Sequence, residues 1–563
     1  MERLGSQKFK ASGVERANSG RERERAKGSC CCNAPALAFF CGFCLSYLLF
    51  AFTTSTFSLY SHKDKHNESN LWMRSESVMT GPQDEQGRRE EKKIELLQSM
   101  WEAHYVNLKN KSSSFSKAVG QVPKAPHIQD CEAYVNTSKQ LDSGGAHWSI
   151  WKGYLGVVFS KEQKEDPLLV EPKTIPLAPY PPWVEGGDED NLPMTRHVQR
   201  DLWLQQHPRN CHDPRLRFLF TDWESNPGFG IGAQIAGMAG MLALAVNQNR
   251  ILVTNYFNRA DHEGCAGSVH SRWSCYFLPE TSAECRKRAL ELASQAEAWE
   301  QGLITTKHNY TTKEIWVGKI PRKWGKPWER MQPTTEIQSK LLKHHRTRDR
   351  RWWRAQAVRY LMRFQTEYTC KLLNIARHQA FGMKAAKIVL QTLPPEWPKV
   401  AITKYESEIE HYVWANHRPW APRPLLSIHV RLGDKAAEME IFGFQSYMNL
   451  AKQIQKRFPD VKNIWLSTEM QDVIDQSKSY VGWNFYYTNV RRQVGNMTMP
   501  FYEASLGRET STNYPLVNFL MAADADFFVG ALGSTWCYLI DGMRSTGGKV
   551  MAGYLSVNKD RFW

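Results

Sequence analysis

The sequence predicts an α/β protein of two Rossmann-like lobes behind a single N-terminal transmembrane helix and a stem. Two observations carry this. A run without a single charged residue lies between Lys27 and Lys63, and strand-like and helix-like segments then alternate in two blocks separated by Pro394-Pro-Glu-Trp-Pro398. With 563 residues, 42% apolar and 12% aromatic, the chain is long enough and apolar enough for both lobes. Its net charge of +16 points to anionic ligands, for which nucleic acid, a membrane surface and a nucleotide-linked diphosphate compete.

Within the charge-free run, Ala34 to Phe57 is dominated by Ala, Leu, Phe and Cys and is long enough to span a bilayer. Basic residues from Arg3 to Lys27 outnumber the acids before it. This places residues 1–33 in the cytosol and the body in a lumen, and sets nucleic acid aside as a partner. A cleaved signal peptide would have a shorter apolar core and a small-residue cleavage site, so an uncleaved anchor over residues 34–57 is expected. Cys30, Cys31 and Cys32 sit at the cytosolic edge. Seven cysteines follow the span, an odd number, so one is left free or pairs between chains. Their wide spacing argues against zinc. Five Asn-x-Ser/Thr sequons, at Asn67, Asn110, Asn136, Asn309 and Asn496, are compatible with a secretory lumen.

Residues 58–130 read as a polar stem with a helix over Glu90–Leu108, where Ile94, Leu97, Met100 and Trp101 recur at helical spacing. Too few heptads follow for a coiled coil, which leaves a homodimer open. Pro167–Pro193 reads as loop. The first lobe, residues 131–395, contains a strand over Arg215–Asp222, the loop Gly228-Phe-Gly230-Ile-Gly, a helix over Gln234–Gln248 and a strand over Arg250–Asn255. This layout can present backbone N–H groups to phosphate. Basic stretches over Lys319–Arg330 and Lys343–Arg354 read as a solvated face, and helix continues from Trp352 to Gln391. The second lobe, residues 396–563, has strands over Leu425–Arg431, Asn463–Thr468 and Asp526–Leu532. Helices over Gln445–Phe458 and Pro515–Ala523 lie between them.

The most informative stretch is Ser427-Ile-His-Val-Arg-Leu-Gly-Asp-Lys435, followed by Glu438. It reads as a strand that delivers His429 and Arg431 to its C-terminal end, where ligands of open α/β sheets bind. A permanently charged Arg beside Lys435, Asp434 and Glu438 suits phosphate binding combined with proton transfer.

Four segments together resemble the fucosyltransferase superfamily of GT-B fold, and most closely the core α1,6-fucosyltransferases. They are the Gly-Phe-Gly loop, the Trp352-Trp353-x-x-Gln356-x-Val-Arg359-Tyr-Leu-x-Arg363 helix, the His429-Val-Arg-x-x-Asp-Lys435 loop, and Asp526-Phe-Phe-Val to Ser534. The resemblance implies a Golgi membrane enzyme moving fucose from GDP-fucose to a glycan or glycoprotein hydroxyl, by inverting displacement without a metal. By resemblance Arg431 grips the β-phosphate, His429 contacts the guanine, Ser534 and Thr535 bond the diphosphate, and Gly228 and Gly230 line the donor site. Lys435 steers protonation beside the base, which is Glu438 or Glu440, and Asp434 orients the loop. The family's base stands four residues after its Lys, whereas here acids stand three and five after. The guanine-binding Asp of the family aligns with Asn518, a paired Asp becomes Glu469-Met470, and no SH3-like domain follows Cys537. Cys211 with Cys285 is the disulfide implied by the family, with Cys265–Cys275 as a local pair. Asp188-Glu-Asp190 and Asp524-Ala-Asp526 match the Asp-x-Asp pattern that holds Mn²⁺ in other glycosyltransferases, but the GT-B resemblance places the diphosphate on protein donors. Two other readings stay open: a fucosyltransferase for polysaccharide or protein Ser/Thr, and a catalytically silent, membrane-tethered glycan-binding scaffold.

Overall fold

A computed structural model describes residues 82–110, 122–143, 193–223, 230–317, 335–337, 340–342, 348–400, 419–495, 497–546 and 554–558. The predicted span 34–57, Gly228, Asp188–Asp190 and the side chain of Asp434 lie outside these residues, as do the basic stretch Lys319–Arg330 and residues 343–347 of the second. No helix among the described residues is long and apolar enough to cross a membrane.

The molecule is α/β, with helices α1 Pro82–Asn110, α2 Cys131–Ser143 and α3 Pro193–Gln206 preceding the first strand, β1 Arg217–Trp223. Helix α4 Ile231–Asn247 crosses from β1 to β2 Arg250–Phe257, and the two strands pair in parallel from Arg217↔Arg250 to Thr221↔Thr254. The small residues of α4 are a packing requirement. A Cβ on Gly237 would strike the Trp223 ring, and one on Gly240 would strike the Ile315 carbonyl oxygen. Helices α5 Ala283–Ala293 and α6 Ala296–Glu300 then lead to β3 Ile304–Thr305, which completes a sheet of order β2-β1-β3.

After α7 Thr312–Val317 come the short strands β4 Thr335–Ile337 and β5 Lys340–Leu342, then α8 Arg348–Leu361 and α9 Glu367–Leu390. The second block runs β6 Leu425–Val430, α10 Phe444–Arg457, β7 Asn463–Thr468, α11 Gln471–Ser477, β8 Asn484–Tyr486, α12 Met499–Asp524, β9 Phe527–Gly530, α13 Thr535–Ser545 and β10 Tyr554–Ser556. Its sheet has the order β5-β4-β10-β9-β6-β7-β8, all parallel except the β4–β5 hairpin. Strands β4 and β5 thus leave the sequence block that precedes Pro394 and join the sheet of the block that follows it. Interior strands β6 and β7 are fully buried, as continuous apolar-rich runs of a two-sided parallel sheet should be.

Helix α8 is a polar bolt between the two blocks. Gln356 Nε2 donates to Thr195 Oγ1 at 2.7 Å and Gln356 Oε1 accepts from Gln199 on α3. Arg359 crosses to Thr546 Oγ1 of the second block at 3.0 Å, and Arg363, two residues past the helix, forks onto both oxygens of Asp142 on α2 at 2.8 Å. Burial opposes ionisation of Asp142, yet Arg363 holds its carboxyl below the ordinary value. The side chains of Gln356, Arg359 and Arg363 therefore hold architecture together.

Disulfides join Cys211 to Cys285 and Cys265 to Cys275, the two expected pairs, and also Cys131 to Cys370. The last fastens α2 to α9 across 239 residues of sequence. Cys537 is the free cysteine among the described residues; it is buried, and burial pushes its thiol up to about 12. The sequons Asn136 and Asn309 are exposed.

Candidate functional site

Strand β6 ends at Val430, and the next residues carry the predicted loop. Parallel register sets Ser427 beside Trp465 and His429 beside Ser467, so Ser427, His429, Trp465 and Ser467 share one face of the sheet. Helix α12 covers that face, with Trp465 Nε1 donating to Asn518 Oδ1 at 3.1 Å. The face is polar and incompletely satisfied. Both ring nitrogens of His429, the hydroxyls of Ser427 and Ser467, Glu469 Oε2 and Gln493 Oε1 are buried without a hydrogen-bond partner. Leaving a buried polar group unmade costs about 1–3 kcal/mol, and such groups in a native protein require an explanation. They cluster at the C-terminal end of β6 and β7, where a ligand supplies one.

Burial lowers His429 to about 4, with Glu469 pulling upward and Arg431 downward, so the ring is neutral and offers one donor and one acceptor. Arg431 is buried at the strand end, its Nη1 donating to the Leu432 carbonyl at 2.7 Å. Gly433, at φ +69°, then turns the chain in a conformation that side-chain-bearing residues resist, and a 3₁₀ turn over Gly433–Ala437 follows. Lys435 Nζ contacts Glu438 Oε1 at 2.5 Å, both partly exposed. Glu440 is exposed, and its carbonyl accepts from Asn558 Nδ2 at 3.0 Å.

Asn558 ties this loop to the one after β9, since its Oδ1 accepts from Gly533 N at 3.2 Å, while Ser556 Oγ accepts from Leu532 N at 2.9 Å. A Cβ on Gly533 would meet Met439 Cβ at 2.6 Å, so glycine permits the close approach of the two loops. Ser534 caps α13 by backbone position but its side chain makes no cap bond, and Thr535 opens the helix. The first N–H groups of α13 carry the positive end of its dipole. The N-terminus of α4 lies beside it: a Cβ on Gly232 would stand 2.9 Å from the Trp536 ring. Gly230, the N-cap of α4, borders a cavity of about 410 Å³ that reaches under the first half of α12.

The sequence-predicted residues Arg431, Lys435, Glu438, Glu440 and Ser534 are therefore carried by two linked loops at the C-terminal end of the strands, with His429 on β6 itself, Thr535 opening α13 and Gly230 near them. Asn518 lies deeper and has internal partners, Trp465 Nε1 and Thr488 Oγ1, the latter at 3.4 Å. The pair Asp524 and Asp526 stands at the opposite, N-terminal end of the strands. There Arg423 engages both carboxylates at 2.7 Å and Leu425 N donates to Asp526 at 2.7 Å, so this Asp-x-Asp is a structural clamp.

Sequence reasoning missed Ser467, Gln493, Arg259 and Glu503. Arg259, just past β2, donates to Gln234 Oε1 at 2.7 Å and to Glu503 Oε2 at 2.8 Å. Burial pushes the Glu503 carboxyl above its usual range, with Arg259 opposing, and the charges of Glu469 and Arg431 also reach it. Position directly after a parallel strand was the one signal available for Arg259; Glu503, on a helix whose first half lacks apolar periodicity, offered none. No protein-family model matches the chain, and no curated protein matches it either.

Proposed function

We propose that the protein is a membrane-anchored, luminal fucosyltransferase that uses GDP-fucose without a metal. The observation that carries the reading is the layer of unpartnered buried polar atoms around His429, Ser467 and Glu469 at β6 and β7, with Arg431 at the end of β6 and the N-terminus of α13 following the neighbouring strand β9. A purine with its ring donors and acceptors satisfies such a layer, and a guanidinium with helix N–H groups is what a diphosphate needs. Neutral His429 suits a base edge better than a phosphate. The three disulfides support an oxidising compartment, in keeping with a Golgi lumen behind the anchor.

In the proposed reaction an acceptor hydroxyl oxygen attacks the anomeric carbon of fucose. The bond from that carbon to the β-phosphate oxygen breaks, GDP departs with the electron pair, and the hydroxyl proton passes to a carboxylate. Arg431 and the α13 N–H groups stabilise the charge gathering on the leaving phosphate. Glu438 receives the proton, with the Lys435 ammonium paired to its carboxylate. The internal partners of Asn518 favour the silent glycan-binding scaffold as the second reading, because they draw on the group that aligns with the family's guanine-binding acid. The test is incubation of the full chain in detergent with GDP-fucose and N-glycan, O-glycan and polysaccharide acceptors, with and without EDTA, read by mass. Addition of one deoxyhexose to one acceptor class, insensitive to EDTA, is the expected result. No transfer together with no GDP binding would give the scaffold reading.

A further inference from the structure

We propose that the cavity between the end of β2, the N-terminus of α4 and the first half of α12 is a subsite for an uncharged sugar ring, with Glu503 and Asn258 reading its hydroxyls. As the acceptor's subsite it rests on the transferase reading; as a glycan-binding site it does not. The cavity, about 410 Å³, falls in the range of small-molecule sites. Its lining is two-natured. Met499, Pro500 and Ala504 supply an apolar wall for the C–H face of a ring, while Asn258, Arg259 and Glu503 supply polar edges.

The charges of this lining are matched internally. Arg259 contacts Glu503 at 2.8 Å, and Arg508 contacts Asp261 at 2.6 Å. What the fold leaves over is uncharged or hydrogen-bond accepting. Asn258 Oδ1 is buried without a partner, and Glu503 uses Oε2 for Arg259 while Oε1 faces Gly230, 3.7 Å from where a Cβ would stand. Behind Arg259, Gln234 has its amide orientation fixed by the bond to Oε1, which leaves Nε2 as a buried donor without a partner. A phosphate, sulfate or uronate would meet two acceptors, Asn258 Oδ1 and Glu503 Oε1, and be repelled. A hydroxyl donates and accepts at once, so a sugar satisfies both. Gly507, at φ +76°, breaks α12 directly below Glu503 and sets the angle of the wall that carries it.

The test uses the full chain in detergent on an array of neutral oligosaccharides ending in mannose, galactose or N-acetylglucosamine, and a matching sulfated and uronate-containing set, beside a GDP titration. The wild type is expected to bind members of the neutral set. Asn258→Ala and Glu503→Gln are expected to lose about tenfold or more in that binding, and Asn258→Ala is expected to keep its GDP affinity within about twofold. Asn258→Ala leaves the Arg259–Glu503 pair in place and so decides the matter if Glu503→Gln fails to fold. The subsite is overturned if Asn258→Ala binds glycans like the wild type, if only the anionic set binds, or if neither set binds. Neutral-glycan binding lost in the variants without any GDP binding would keep the subsite and sink the transferase reading; GDP binding without glycan binding would do the reverse.

Discussion

Arg431 and Glu438 stand in one loop but in different surroundings. Arg431 is buried at the strand end, whereas Glu438 is nearly half exposed and held by Lys435. If Glu438 takes the proton, Glu438→Gln should lower kcat by about 10²-fold or more with the donor KM little changed, because the amide cannot accept the proton yet keeps the shape. Glu440→Gln, a change to an exposed side chain, should stay within about twofold. Steady-state kinetics with GDP-fucose checks both, and the opposite ranking would move the base to Glu440. His429 behaves differently again: its worth lies in being neutral and unpartnered, which burial enforces.

At the scale of elements, the polar side chains of α8 and of Arg363 just past it serve structure. Arg363→Ala leaves Asp142 with its charge and removes the fork that holds it, and it also removes the contact to the Pro279 carbonyl. Breaking one partner of a buried pair costs about 3–5 kcal/mol. Chemical denaturation should therefore show a large loss of stability for Arg363→Ala, and a loss under about 1 kcal/mol would contradict the structural role of this pair. The elements best read from sequence are the ones with the simplest physics. Strand β7 is found at its predicted bounds, and β6, α4 and α10 within a few residues, because buried parallel strands and amphipathic helices write their periodicity directly. Helix α12 was legible only in its second half, since the polar, Gly507-broken first half takes its shape from the cavity it covers. The β4–β10 pairing and the Cys131–Cys370 bridge were illegible for another reason: their partners lie some two hundred residues apart, and nothing local encodes them. The site divides likewise, the loop after β6 being legible at a strand end, and Glu503 and Ser467 emerging only once the chain is folded.

Over the whole molecule, neutral buried histidines set the acid limit. Burial lowers His127 to about 3, His207 to about 4 and His429 to about 4, well below the ordinary 6.5. Each is depressed in the folded state, so the unfolded chain binds more protons below pH 6.5. Stability from these groups is complete above that value and is lost as pH falls toward 4. The melting temperature should be flat from about pH 8 to 7 and decline steadily below 6.5. His127→Gln, which removes a ring packed between Trp101 and His378, should flatten part of the decline. A curve unchanged between pH 7 and 5 would contradict neutral burial.

If the polar layer at the end of β6 and β7 holds a guanine nucleotide with its diphosphate on Arg431, GDP should bind and should depend on that guanidinium. Calorimetric titration of GDP into the full chain in detergent, wild type and Arg431→Ala, tests it most directly. Saturable one-site binding by the wild type, weakened at least tenfold in Arg431→Ala at an unchanged melting temperature, is the expected result. No binding by the wild type, or equal affinity in the variant, would contradict it.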